Sequence, residues 1–148
     1  PSVGTLSLLN DKRYLVLRKH VGISGSYLND SHTAINATND YAYIEASRTI
    51  QKAKRVIRVA LLPNLNSPLT VDGDGKLSAG TIAYFEGLVS RPLDAMQAAG
   101  EFSAYGVFIN PDQNVLATSV LQIQVKIVPR GVARNIIVNI GFSVTTEF

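Results

Sequence analysis

The stretch NDYAYIEASRTIQKAKRVIR, residues 39 to 58, constrains the fold more than any other part of the chain. At about 100° per residue, Ala42, Tyr43, Ala46, Ile50, Ala53, Val56, Ile57, Ala60 and Leu61 gather on one side of a helix. Arg48, Gln51, Lys52, Lys54, Arg55 and Arg58 gather on the other. A helix of this kind is stable only when its oily side lies on another layer, and the small Ala residues there suit close packing on a sheet. Asn39 or Asp40 is the expected N-cap, and Glu45 adds a carboxylate near the positive end of the helix dipole. Pro63 should end the helix after Leu62, with a loop from Asn64 to Pro68.

A second helix is expected from a Ser78 cap to about Ala99, with Gly100 as its stop. Ile82, Phe85, Val89, Leu93 and Met96 follow helical spacing, and Pro92 within the pattern predicts a kink or break near Ser90. The last third changes period. AYGVFI (residues 104–109) reads as a strand, NPDQN as a turn, and VLQIQVKIV alternates apolar and polar residues; NIIVNIGFSV alternates again after PRGVAR. Strands with one wet face belong to antiparallel sheets. Near the start, RYLVLR is a short β-rich run, followed by a Gly- and Ser-rich stretch with too many turn formers for a helix. The fold class is therefore α+β: two layers, a mainly antiparallel sheet of at least three strands, and two long helices packed on one face.

A chain of 148 residues is about one domain. With 46% hydrophobic residues and a mean hydropathy of +0.14, it can bury a sizeable core, which argues against disorder. No apolar run approaches the ~20 residues that span a bilayer, so membrane insertion is not expected. The absence of Cys removes disulfides and thiolate chemistry. A net charge of +3 is mild for a nucleic-acid binder.

Catalytic signals are weak throughout. The two histidines are His20 and His32. Asp30, Ser31 and His32 can be written as a triad, but adjacent residues seldom achieve triad geometry. GISGS at Gly22 to Ser26 lacks the last Gly of a nucleophile elbow. DGDGK invites a calcium reading through Asp72 and Asp74, yet one register puts Thr70 and Thr81 at the end ligand positions and the other puts Ala83 at the twelfth. A plain turn is expected, with no metal, cofactor or small-molecule substrate.

The charged helix side holds five of the chain's fourteen Lys and Arg within eleven residues. Glu45 pairs weakly with Arg48, while Arg48 with Lys52, Lys54 with Arg58, and Lys52 with Arg55 repel by a few tenths of a kcal/mol each. An acidic partner surface would relieve that repulsion. Nucleic acid is the weaker candidate because no aromatic side chain shares this side for stacking.

SYLNDSHTA and NDYAYIEASRTIQKAKRVIR, followed by GVFINPDQNVLATSVLQIQVKIVPRGVARNIIVNIGFS, resemble the C-terminal region of contractile tail sheath proteins of myophages and phage-derived injection machines. The resemblance covers most of the chain in element order. It implies that residues 1–148 form one domain, the C-terminal part of a longer sheath protein that precedes Pro1. It also implies a structural, non-enzymatic subunit of a phage tail or contractile particle, assembled in the bacterial cytoplasm. The implied partners are neighbouring copies and an acidic inner tube, the latter met by Arg48, Lys52, Arg55 and Arg58. Such sheaths exchange terminal strands, and residues 1–12 and 142–148, carrying GTLSLL and FSVTTEF, are the extended-looking candidates for those arms. A tube, terminator or baseplate-adaptor protein, or a T6SS-like sheath subunit, is the alternative reading; a small nucleic-acid-binding module is a third.

Overall fold

In a computed structural model of the chain, the described residues are 3–134, 136–138 and 142. The order of elements is α1 (Val3–Asp11), β1 (Leu17–Arg18), β2 (Tyr27–Leu28), α2 (Ile44–Leu61), a 3-10 turn (Leu62–Asn64), α3 (Ala79–Ala98), β3 (Ala104–Phe108), α4 (Val115–Thr118) and β4 (Gln124–Val128). The class is α+β, as the sequence leads one to expect.

α2 and α3 lie together over one face of an antiparallel β3–β4 pair. Tyr105 pairs with Ile127 and Val107 with Val125, and all four turn inward, while Ala104, Gly106, Phe108, Gln124, Lys126 and Val128 face out. This is the period-2 pleat of a sheet with one covered face. The core is Ala53 from α2, Val89, Leu93 and Met96 from α3, and Phe102 from the α3–β3 turn, with Val56, Ile57 and Leu61 packed around them. A second cluster of Leu77, Phe85 and Ile109 continues it toward the other end of α3. The apolar stripe expected on α3 is therefore the core seam.

The ends of α3 follow local chemistry. The Ser78 side chain accepts a hydrogen bond from the Thr81 N–H, and Gly100 leaves the helix at φ 73°. Of the kink or break expected near Ser90, the break does not occur: α3 runs from Ala79 to Ala98 with Pro92 inside it. Leu93 and Val89, both 0% exposed, clamp the turn that contains Pro92 onto α2 and the sheet. That burial outweighs the one backbone bond that proline removes.

Three further expectations need correction. α2 starts at Ile44, with Tyr43 at the N-cap position, and not at Asn39 or Asp40. The Asn39 side chain is spent on a turn, accepting from the Tyr41 N–H, while Thr33 N–H donates to the Ala42 carbonyl and Ile44 N–H to the Ser31 carbonyl. This bridge between His32 and Tyr43 keeps Tyr43 itself extended, at φ -130° and ψ 145°, so the helix begins only at Ile44. The segment from Gly4 to Leu9, expected to be extended, lies within helix α1. Leu6, Leu9 and Asn10 form its half-buried side at helical spacing, and Asn29 ties it down by donating to the Asn10 side chain and the Tyr14 carbonyl. Among the described residues the sheet is also smaller than expected. β1 keeps two residues of the RYLVLR run and, among the described residues, pairs only with β2, and residues 136–138 of NIIVNIGFSV are not in a strand. The rest of that segment, and the 142–148 arm apart from Phe142, lies outside the described residues.

Candidate functional site

The charged side of α2 faces solvent along its length. Arg48, Lys52, Lys54, Arg55 and Arg58 are all exposed, because Ala53, Val56 and Ile57 point the opposite side of the helix into the core. Lys52 is bound to Glu101, which lies just past the C-terminal end of α3. Among the described residues no ion pair engages Arg48, Lys54, Arg55 or Arg58. Arg58 also sits in the last turn of α2, where a cation complements the helix dipole. The structure thus brings Arg48, Lys52, Arg55 and Arg58 onto one solvent-facing side, and among the described residues Lys52 alone is neutralised.

A second polar constellation lies at the N-terminal end of α2. The Arg134 guanidinium donates from Nε to Asp30 Oδ1 at 3.0 Å and from Nη2 to Glu45 Oε1 at 2.5 Å. Its Cζ lies 3.6 Å from the centre of the Tyr43 ring. Arg13 approaches the same ring at 5.5 Å and donates to the carbonyls of Thr33 and Ala42. The Ser31 hydroxyl donates to Glu45 Oε2. Burial pushes the Asp30 and Glu45 carboxyls up, but hydrogen bonds from Ser31 and the charge of Arg134 more than offset it and hold both below their ordinary values. For Arg134, burial works against the charge, and the two carboxylates together hold its pKa above the usual arginine value.

The paper triad of Asp30, Ser31 and His32 is therefore not a nucleophile assembly. The Ser31 hydroxyl is committed to Glu45, and His32 Nε2 stands 3.5 Å from Asp30 Oδ2. The His32 side chain is 7% exposed and stacks at a tilt on Tyr43, and neither ring nitrogen has a hydrogen-bond partner among the described residues. The Asp72 carboxylate accepts from the N–H groups of Asp74 and Lys76, so it closes the DGDGK turn, and Lys76 pairs with Asp112 at 2.7 Å. Among the described residues no group of three or more His, Asp and Glu side chains could hold a metal ion. Among them, too, no helix is long and apolar enough to cross a membrane.

Residues 40–147 match the family described as DUF2586, C-terminal domain. The chain belongs to that family. No curated protein matches it. Its fold is shared with a chain in the cryo-EM structure of the anti-feeding prophage (AFP) baseplate, 6-fold symmetrised, at TM-score 0.76 and 21% identity over 97% of this chain. It is shared also with a chain in the cryo-EM structure of an extracellular contractile injection system, the PVC sheath complex in the contracted state, at TM-score 0.71 and 16% identity over 93% of this chain. In both cases this DUF2586 C-terminal domain spans 40% of the length of the solved chain.

The Arg134 cluster was not visible as a site in the sequence. The pairs Arg134–Asp30 and Arg134–Glu45 join residues 104 and 89 positions apart, which leaves no periodic trace.

Proposed function

We propose that this domain is part of a structural subunit of a contractile injection particle, a sheath subunit that polymerises around an inner tube and rearranges to drive it through a target envelope. The observation that carries this reading is the outward row of Arg48, Arg55 and Arg58, exposed and free of ion pairs among the described residues. Their mutual repulsion stabilises nothing within the chain and is relieved against carboxylates of a neighbouring cylinder. The fold shared with chains of an AFP baseplate and a PVC sheath complex supports the same context. The role is mechanical and not catalytic: individual solvated ion pairs contribute ~0–1 kcal/mol, so many copies together hold the tube and few need break at once.

Neighbouring copies are the second class of partner. Among the described residues β3 and β4 pair only with each other, so each presents one open edge able to accept a donated strand. Residues beyond Arg134 are the donor in this reading, since Ile136, Ile137 and Val138 are 76, 77 and 70% exposed.

A baseplate position is the second reading, favoured by the fold match to a baseplate chain. The two differ in closure, because a head-to-tail contact that closes makes a ring and one that does not makes a helix. The test is negative-stain electron microscopy of the full-length subunit with its tube protein. Open helical tubes with the tube inside support the sheath reading, closed rings select the baseplate, and a strictly monomeric product overturns both.

A further inference from the structure

The outward side of α2 is not uniformly charged. Positions three and four apart stack along a helix, so Arg48, Lys52, Arg55, Val59 and Leu62 form one continuous stripe. Its far end is apolar and open: Val59 is 69% exposed and Leu62, in the 3-10 turn, is 52% exposed. Leu65 follows at 71%, its N–H bonded to the Leu62 carbonyl, and lines a groove of about 600 Å³ with Leu69, Val115 and Leu116. Nothing in the core needs these side chains, since the seam on α3 is already covered by Ala53, Val56, Ile57 and Leu61.

We propose that this stripe is a two-part docking surface for an acidic protein partner: Arg48 and Arg55 orient it, and the Val59–Leu62–Leu65 end anchors it in a desolvated contact. The inference rests on the sheath reading above and adds what that reading leaves out, the origin of affinity. Solvated cations steer encounter and set register, but water and salt weaken them. Desolvated contacts near the centre of an interface dominate affinity. Lys52 is excluded from the first part, because Glu101 already neutralises it. A protein fits better than a lipid surface, because the broad oily side of α2 is committed to the core and leaves three apolar residues at one end. The partner surface is then a row of carboxylates ending in one apolar side chain, and the charge row beside the apolar end fixes its polarity along α2.

The experiment measures binding of this chain to the purified tube protein of the same particle, with Val59→Ser/Leu65→Ser and Arg48→Glu/Arg55→Glu variants, across a salt series. All four positions are exposed, and circular dichroism checks that each variant folds. The Ser variant should lose at least tenfold in affinity, and its remaining binding should fall more steeply with salt than the wild type's. The charge-reversed variant should lose binding at low salt. Wild-type affinity in the Ser variant overturns this inference and leaves the sheath reading standing. No binding by the wild-type chain overturns both. Preferential binding to anionic phospholipid vesicles, lost in the Ser variant, assigns the stripe to a membrane and overturns the inference.

Discussion

Arg134 lies over the ring of Tyr43, with its Cζ 3.6 Å from the ring centre, and the contact helps join the segment after β4 to the start of α2. Two carboxylates, Asp30 and Glu45, hold the guanidinium in that pose. Arg suits the place because its planar fork can meet two acids and an aromatic face at once, which a Lys ammonium cannot.

Replacing Arg134 with Ala should therefore cost about 1–2 kcal/mol, the sum of a cation–π contact and two charge-assisted bonds after discounting for solvent screening of the half-open Glu45 side. Arg134→Lys should recover less than half of that. Urea denaturation followed by tyrosine fluorescence checks both values. Equal stability of all three proteins would mean that the cluster contributes nothing to the fold.

Acid should act on the same cluster. Asp30 and Glu45 titrate below their ordinary values when folded, so near and below those ordinary values the unfolded chain binds more protons than the folded one. Their contribution is complete above the usual carboxylate range of about 4 and is lost as pH falls through the lowered folded values. A circular-dichroism titration from about pH 6 to about pH 2 should show the wild type and Arg134→Ala converging in stability at the acid end.

The core prediction is larger. Leu93 is fully buried between α2, α3 and the sheet, and Leu93→Ala should cost about 2–5 kcal/mol. For a domain of this size that is a large share of the total, so a partly unfolded product is the expected outcome, read out by the thermal midpoint.

Pro92 makes the opposite case. It lies inside α3 and supplies no N–H to the carbonyl one turn earlier. Pro92→Ala should stabilise the domain by about 1–2 kcal/mol, less than the full helix-interior cost of proline because the unfolded chain gains freedom. A lower urea midpoint would show that the ring itself is packed to advantage.

The periodic parts of the fold were legible in the sequence, and the reasons are local. Phe85, Val89, Leu93 and Met96 repeat at helical spacing and are buried on α3; Tyr105, Val107, Val125 and Ile127 alternate and are turned inward. The exposed cations of α2 followed from the same spacing. Errors arose where a local signal lost to a distant contact. Asn39 looks like a cap, yet the ladder between residues 31–33 and Tyr43 delays α2. Gly4 to Leu9 looks extended, but Asn29 fastens it as a helix from nineteen residues away. Pro92 predicts a kink or a break near Ser90, and burial of Val89 and Leu93 keeps α3 a single helix. The cluster around Arg134 was illegible for the same reason: its partners precede it by most of the chain. Val59 and Leu62 continue the three- and four-residue spacing of Arg48, Lys52 and Arg55, so the apolar end of that side is legible from the sequence as well.

Tyr43 receives Arg13 from the segment after α1 and Arg134 from the segment after β4. Both tails are thus leashed to a single post at the foot of α2. Loosening that one ring would therefore free the segments after α1 and after β4 together.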